Sequence, residues 1–123
     1  MIYNGVIEKI DEDGEEVTIK TNDTMITGFV NCGVQKEIGD TCNFEIELYD
    51  DLEMQEIVEN KKELYRIGNS YSYYIRGILD VDALKIHSIL DIDLEKEDIY
   101  DYAYLDGKYI EIKVQRLNIN FNI

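Results

Sequence analysis

Alternation of apolar and polar residues is the feature that most constrains the fold of this chain. In Phe44-Glu45-Ile46-Glu47-Leu48 the apolar side chains share one face and the glutamates share the other, as in a half-buried strand. The same pattern extends from Leu84 to Leu94. The chain contains no proline, a residue that removes a hydrogen-bond donor from a sheet. These features predict a protein built mainly from β-strands.

The C-terminal segment carries the same alternation with one change of phase. The apolar positions before and after Gln115-Arg116 are Ile110, Ile112 and Val114, then Leu117, Ile119, Phe121 and Ile123. A one-residue slip of this kind is typical of a bulge or of a corner at which a barrel strand turns.

Shorter alternating segments and glycine-containing turns separate these long ones. We predict further strands over residues 5–10, 16–21, 25–31 and 73–79. Asp13-Gly14 and Asp106-Gly107 indicate tight turns, because such turns require positive φ angles that glycine adopts without strain. Ile38-Gly39-Asp40 and Ile67-Gly68-Asn69 indicate tight connections as well.

Residues 50–66 are the exception to the strand pattern, because they are mostly good helix formers. A thin apolar stripe at helical spacing runs through Met54, Ile57, Val58, Lys61, Leu64 and Tyr65. We therefore predict one helix near residues 51–66. The alternative is a strand that continues to Val58.

This order of elements predicts an all-β fold in a single domain over residues 1–123, with seven to nine strands and one helix. A small barrel and a two-sheet sandwich both fit the pattern. Gly5-Val6-Ile7, and Ile38-Gly39-Asp40 ahead of Phe44-Glu45-Ile46, resemble the small OB-type barrels, cold-shock proteins included. The resemblance covers residues 1–60 and implies an OB-like first half. The paired aromatic RNA-binding motifs of cold-shock proteins have no counterpart in residues 17–20 or 26–30, so it implies a fold and no activity.

A short internal echo accompanies this pattern. Arg76-Gly77-Ile78-Leu79-Asp80 is similar to Asn4-Gly5-Val6-Ile7-Glu8. Two related β halves would produce such an echo, and so would the common residue preferences of strands.

The net charge of the chain limits the kinds of molecule that it can bind. There are 27 acidic and 12 basic residues, giving a formal net charge of −15. A surface this anionic repels nucleic acid and anionic membranes and attracts cationic molecules. The chain has no apolar run long enough for a transmembrane helix and begins without signal-peptide features. We therefore expect a cytoplasmic protein with a basic protein partner, no nucleic acid ligand and no membrane.

The sequence shows no motif for catalysis, a cofactor or a metal. Residues 11–16 are acidic but lack the ligand spacing of a calcium loop, which favours a solvated hairpin tip. His87 has the context of an ordinary surface histidine. Cys32 and Cys42 lack zinc-site spacing, so two free thiols are expected, with a cross-strand disulfide or a reactive thiol as alternatives. We expect no enzyme activity, cofactor or metal.

Two clusters supply the candidate partner-binding residues. On a strand, Asp91, Asp93 and Glu95 would project from one face about 7 Å apart, ready to receive lysines and arginines. A metal site completed by another segment, or a plain exposed face, are the alternatives. The second cluster contains Tyr100, Tyr102 and Tyr104, which would share a face on a strand and fan out on a helix. Tyrosine suits protein interfaces, although tyrosines also cap barrel ends.

These observations predict a non-enzymatic acidic binding protein. Its sharpest form is an immunity protein or antitoxin that masks the active site of a basic bacterial toxin, such as a nuclease. A phage-type DNA mimic, a carboxylate-pair hydrolase and a subunit of a larger assembly are the alternatives. In the last, residues 117–123 would form an intersubunit strand. The sequence leaves the oligomeric state open.

Overall fold

The computed structural model describes residues 1–31 and 33–121. Over these residues the chain forms eleven strands, one short α-helix and one 3₁₀ helix, which confirms the all-β prediction. The strands are β1 Tyr3–Ile10, β2 Glu16–Thr21, β3 Thr24–Phe29, β4 Thr41–Tyr49, β5 Glu53–Glu56, β6 Glu63–Arg66, β7 Tyr73–Asp80, β8 Lys85–His87, β9 Asp91–Asp93, β10 Tyr109–Val114 and β11 Arg116–Asn120. Helix α1 covers Lys96–Ile99, and the 3₁₀ helix follows over Tyr100–Leu105.

Five strands close a barrel in the order β1-β2-β3-β11-β4. Strand β11 is antiparallel to β4 and parallel to β3, so the barrel closes through its C-terminal strand. This five-stranded barrel agrees with the OB-type architecture implied by the first 60 residues. Those residues supply only four of its strands, because residues 50–115 are inserted between the fourth and the fifth.

The inserted residues form a second sheet in the order β5-β10-β7-β8-β9, with β6 also paired to β7. The chain leaves this sheet at Val114 and enters the barrel at Arg116. The change of phase at Gln115-Arg116 is therefore the predicted corner. Since a one-residue shift reverses the side-chain faces of a strand, it keeps Val114 and Leu117 buried in two different sheets.

The echoed glycines occupy equivalent places in the two sheets. Gly5 lies in β1, which pairs with β2 and β4, and Gly77 lies in β7, which pairs with β8 and β10. A Cβ atom would lie 2.4 Å from Ile19 Cγ2 at the first position and 2.3 Å from the His87 carbonyl oxygen at the second. Both strands require glycine because a neighbouring strand approaches them closely.

The buried side chains of both sheets form one hydrophobic cluster. Two tyrosines join the sheets through hydrogen bonds as well as packing. The hydroxyl of Tyr73 donates to the carbonyl oxygen of Thr27, and the hydroxyl of Tyr3 donates to the carbonyl oxygen of Asp91. Tyr3 also stacks on Phe44, with ring centres 5.4 Å apart. Burial raises the pKa of both tyrosine hydroxyls.

The predicted helix near residues 51–66 is wrong. This segment forms β5 and β6, which pair with β10 and β7, and the residues between them are irregular. Met54 is buried, whereas Val58, a member of the proposed helical stripe, is fully exposed. Strand pairing in the folded protein overrides the helix propensity of the segment. The alternative strand is closer to the structure but ends at Glu56, before Val58.

Residues 84–94 also differ from the prediction, because they form a hairpin and not one long strand. Leu84 has a φ of 54°, and Lys85 of β8 pairs with Asp93 of β9. Ile86 and Ile92 face each other and are both buried. The alternation continues through the turn because both strands of the hairpin bury the same face. The sequence pattern therefore does not reveal where β8 ends and β9 begins. This hairpin, together with β5 and β6, brings the strand number above the predicted seven to nine.

The predicted turns are present, with positive φ angles at Gly14, Gly39, Gly68 and Gly107. The Asp13-Gly14 turn joins β1 to β2, which confirms a hairpin tip in the acidic segment. The Asp106-Gly107 turn joins the 3₁₀ helix to β10, and so does not connect two strands.

Candidate functional site

An acidic groove lies where the barrel meets the second sheet, between β4 and the segment formed by β9 and α1. Its volume is about 350 Å³. The residues that line it are Met1, Glu45, Ile46, Glu47, Leu48, Asp93, Glu95 and Asp98. Five of these eight residues carry a carboxylate.

The alternation of two segments directs these carboxylates outward. In β4, the burial of Phe44 and Ile46 turns Glu45 and Glu47 away from the core. The end of β9 repeats this arrangement, because the burial of Leu94 leaves its two neighbours exposed.

Helix α1 adds the remaining carboxylate. Glu95 is the N-cap residue of this helix, and its backbone N–H donates to Oδ2 of Asp98 at 3.1 Å. A carboxylate in the first turn of a helix satisfies a backbone donor that has no partner within the helix.

Asp93 is the only groove carboxylate that forms an ion pair within the described part of the chain. It binds the Met1 ammonium at 2.6 Å and the Lys85 ammonium, and Lys85 leads the contacts that lower its pKa. Glu47 accepts a hydrogen bond from Asn120 Nδ2 at 3.3 Å. Burial raises the pKa of Asp98, and the negative charges of nearby acids raise it further. Among the described residues, no basic group forms an ion pair with the other four carboxylates of the groove.

A groove of this size and charge suits a lysine or arginine side chain from another molecule. Neighbouring carboxylates repel one another, and a positive charge placed between them is attracted to each. This attraction becomes stronger as water is excluded from the groove. Among residues 1–31 and 33–121, no group of histidine, cysteine, aspartate and glutamate side chains has an arrangement that would hold a metal ion.

The structure divides the predicted row of carboxylates. Asp93 and Glu95 line the groove, whereas Asp91 does not. The Oδ1 atom of Asp91 lies 2.9 Å from His87 Nδ1. The three residues do not form a regular row on one strand. Strand β9 ends at Asp93, and Glu95 already belongs to the start of α1.

The three candidate tyrosines lie on the 3₁₀ helix, where they fan out. Each residue of such a helix turns by about 120°, so side chains two positions apart point in different directions. Tyr100 and Tyr104 are 82% and 72% exposed, whereas Tyr102 packs partly against the core. None of the three lines the acidic groove. Their role in binding stays a prediction.

Glu45, Glu47 and Asp98 were not among the partner-binding residues predicted from the sequence, although Asp98 belongs to the same acidic segment as Asp93 and Glu95. Alternation indicates that the two glutamates are exposed, yet it does not reveal which exposed acids come together. That information depends on how β4 packs beside β9 and α1, and these segments are distant in sequence.

His87 is more constrained than the sequence predicts. Its Nε2 lies 2.9 Å from Asp80 Oδ2 and its Nδ1 lies 2.9 Å from Asp91 Oδ1. These two contacts, with Asp80 the larger, raise the pKa of His87, and the same contact lowers the pKa of Asp80. The imidazole therefore links the end of β7 to the β8–β9 hairpin.

Cys42 is a buried free thiol, as the sequence predicts, and burial raises its pKa. Cys32 lies outside the described residues. In the described part of the chain, no helix combines the length and hydropathy needed to cross a bilayer.

Comparison with known proteins places the chain in one family. Residues 1–122 match the family described as "Uncharacterised conserved protein UCP019853". A search of curated proteins finds no match. Because the family profile covers nearly the whole chain, we conclude that the chain belongs to the UCP019853 family of conserved proteins.

Proposed function

We propose that this protein is a non-enzymatic binding protein that recognises a basic protein partner through the acidic groove. The observation that carries the proposal is the concentration of five carboxylates in one groove, of which only Asp93 forms an ion pair among the described residues. A lysine or arginine of the partner would enter the groove, and the other acids would attract the partner from a distance.

The overall charge supports the same kind of partner. A net charge of −15 accelerates encounters with cationic surfaces and disfavours anionic ones. Long-range attraction speeds association, whereas the groove would provide the specific contact that slows dissociation.

Within this class we propose an immunity protein or antitoxin that acts in the cytoplasm. A nuclease toxin needs a basic surface to hold phosphates, and that surface is a natural target for an acidic inhibitor. A DNA mimic would need regularly spaced acids along an extended face. The compact groove, and the break between Asp93 and Glu95, favour a single patch instead.

The subunit alternative loses its main support. Strand β11 is paired with β4 along residues 116–120 and with β3 at Asn118, so both of its edges already face strands of the same chain. Residues 122 and 123 of the proposed intersubunit strand lie outside the described residues.

Two variants with equal charge change test the proposal. The groove variant is Glu45→Gln, Glu47→Gln, Glu95→Gln and Asp98→Asn. The control variant is Glu8→Gln, Glu12→Gln, Asp13→Asn and Asp23→Asn, which removes four acids outside the groove. Each is used at low salt to capture partners from the native host, and any captured basic protein is purified and assayed for nuclease activity.

The expected result is a basic nuclease that binds the unchanged protein and the control variant, is inhibited by both, and is lost with the groove variant. Equal capture by both variants would show that only the net charge matters and would overturn the groove as the binding site. A captured protein without toxin or nuclease activity would overturn the immunity role while leaving the groove in place.

A further inference from the structure

The three arginines of the chain have different surroundings. Arg66 binds Glu16, and Arg76 binds both Glu63 and Glu111. Arg116 has no carboxylate within ion-pair distance in the described ranges, although acids outnumber bases 27 to 12. An arginine without an acidic partner is therefore an exception in this protein and requires an explanation.

Aromatic rings hold the Arg116 guanidinium in a fixed position. Its Cζ atom lies 4.1 Å from the ring centre of Tyr49 and 4.6 Å from that of Phe29. Its Nε donates to Oδ1 of Asn118 at 2.9 Å. Such contacts orient the planar group before any ligand arrives, which lowers the entropy cost of binding.

The two terminal nitrogens of Arg116 remain available. No hydrogen bond joins them to another described residue. No side-chain nitrogen or oxygen in the described residues is fully buried without a partner. The terminal nitrogens are therefore accessible, and their N–H groups form the paired donors that match a carboxylate.

Arg116 lines a cavity that we call the Arg116 pocket. Its volume is about 450 Å³, within the range of small-molecule sites. The residues that line it include Gln35, Lys36, Glu47, Arg116, Asn118 and Phe121. The full lining thus combines two cations, four amides and an aromatic ring with one carboxylate.

We propose that the Arg116 pocket binds a small molecule with a single carboxylate, which pairs with the Arg116 guanidinium. Lys36 adds attraction for the negative charge, the amides of Gln35 and Asn118 supply hydrogen bonds, and Phe121 contacts an apolar body. Glu47 and the net charge of −15 repel ligands with several negative charges, which selects against phosphate groups and oligonucleotides.

This site is separate from the proposed partner-binding role. Glu47 lines both cavities, but the ligand-binding group here is Arg116, which does not line the acidic groove. The proposal can therefore fail while the groove function stands, and the reverse is equally true.

The test compares two probes of nearly equal shape, isovalerate and its neutral amide isovaleramide, with inorganic phosphate as a third. Amide chemical shifts of the labelled protein are followed during titration. We expect saturable shifts at residues 35–36 and 116–120 with isovalerate, and binding at least about tenfold weaker with isovaleramide or phosphate.

Substitutions then locate the site. Arg116→Gln removes the charge, and Arg116→Lys retains the charge but loses the planar pair of donors, so both should abolish the isovalerate shifts. Lys113→Gln removes an exposed cation outside the pocket and should leave them unchanged. The comparison of the two probes needs no substitution, so it decides the question even if a variant fails to fold.

Four results would each overturn the proposal. The first two are equal binding of isovalerate and isovaleramide, and tighter binding of phosphate than of isovalerate. The other two are isovalerate shifts that persist in Arg116→Gln, and the absence of saturable shifts with isovalerate.

Discussion

Tyr73 of β7 spans from the second sheet to the barrel and forms two hydrogen bonds with Thr27 of β3. Its hydroxyl donates to the Thr27 carbonyl oxygen at 2.8 Å and accepts from the Thr27 amide nitrogen at 2.9 Å. Tyr73 is 2% exposed, so water does not replace these bonds readily. One phenol thus completes the backbone hydrogen bonding of a barrel strand from outside the barrel.

The first prediction concerns this link. Tyr73→Phe retains the ring and removes the hydroxyl, leaving a buried N–H and C=O of Thr27 without partners. We expect a loss of about 1–3 kcal/mol in the free energy of unfolding, measured by urea denaturation. Tyr74→Phe on the same strand is the control, because the Tyr74 hydroxyl forms no hydrogen bond with another described residue. Equal losses in both variants would contradict the assigned role of the hydroxyl.

The second prediction concerns the close approach of strands at Gly77. Gly77→Ala would place a Cβ atom 2.3 Å from the His87 carbonyl oxygen, so β7 and β8 would have to separate. We expect a destabilisation of about 1–3 kcal/mol or more, measured by thermal or urea unfolding. Gly5→Ala should behave similarly, because its Cβ atom would meet Ile19 and the carbonyl oxygen of Lys20. Asn4→Ala, at an exposed neighbouring position, should have little effect, and an equally mild Gly77→Ala would refute the close contact.

Much of the fold could be predicted from the alternation of apolar and polar residues. Alternation predicted the all-β class and the corner at Gln115-Arg116, because burying one face imposes a period of two wherever a strand runs. The prediction at residues 51–66 was wrong because it relied on helix propensity, whereas β5 pairs with β10 and β6 pairs with β7 in the folded chain. Alternation also concealed the β8–β9 turn, since both arms of that hairpin bury the same face.

The candidate site was less predictable than the fold. Asp93 and Glu95 were identified as exposed acids, but Glu45 and Glu47 reach them only through the packing of β4 against the second sheet. Asp91 was expected to project with Asp93 and Glu95 toward a partner, and it contacts His87 within the chain. Local patterns indicate which side chains face water, whereas the neighbours across the surface depend on the tertiary structure.

The third prediction is a pH dependence that arises from His87. Its contacts with Asp80 and Asp91 raise its pKa above the ordinary value of 6.5, because the imidazolium is favoured between two carboxylates. The stabilisation is therefore fully present below pH 6.5 and is lost as the pH rises through the raised value. The lowered pKa of Asp80 has the opposite effect, since its contribution disappears only as the pH falls through that lowered value.

We therefore expect His87→Gln to reduce the free energy of unfolding most below pH 6.5 and least well above the raised pKa. The measurement is urea denaturation of both proteins across this range. Asp82→Asn, which changes an exposed acid near the same hairpin, serves as the control. A difference between unchanged protein and His87→Gln that does not vary with pH would rule out the imidazolium link.

The fourth prediction is a conflict between stability and binding in the acidic groove. Burial, with the nearby charges of Glu97 and Asp51, raises the pKa of Asp98, so its ionised form is disfavoured in the folded protein. Below the ordinary value of 3.8 this penalty is absent, and it is fully present once the pH exceeds the raised value. Asp98→Asn removes the charge and retains an oxygen that can accept the hydrogen bond from Glu95.

At neutral pH we expect Asp98→Asn to increase the free energy of unfolding by less than about 1 kcal/mol, since solvent screens this partly exposed group. Asp101→Asn, an exposed acid outside the groove, should produce a smaller change. Added salt should reduce the gain, because it weakens the same repulsion. The substitution should also weaken capture of the basic partner. A cation bound beside ionised Asp98 would offset the repulsion that destabilises the free protein, and the substituted asparagine would lose that attraction. A variant that gains no stability, or one that gains stability and binds the partner more tightly, would contradict this account.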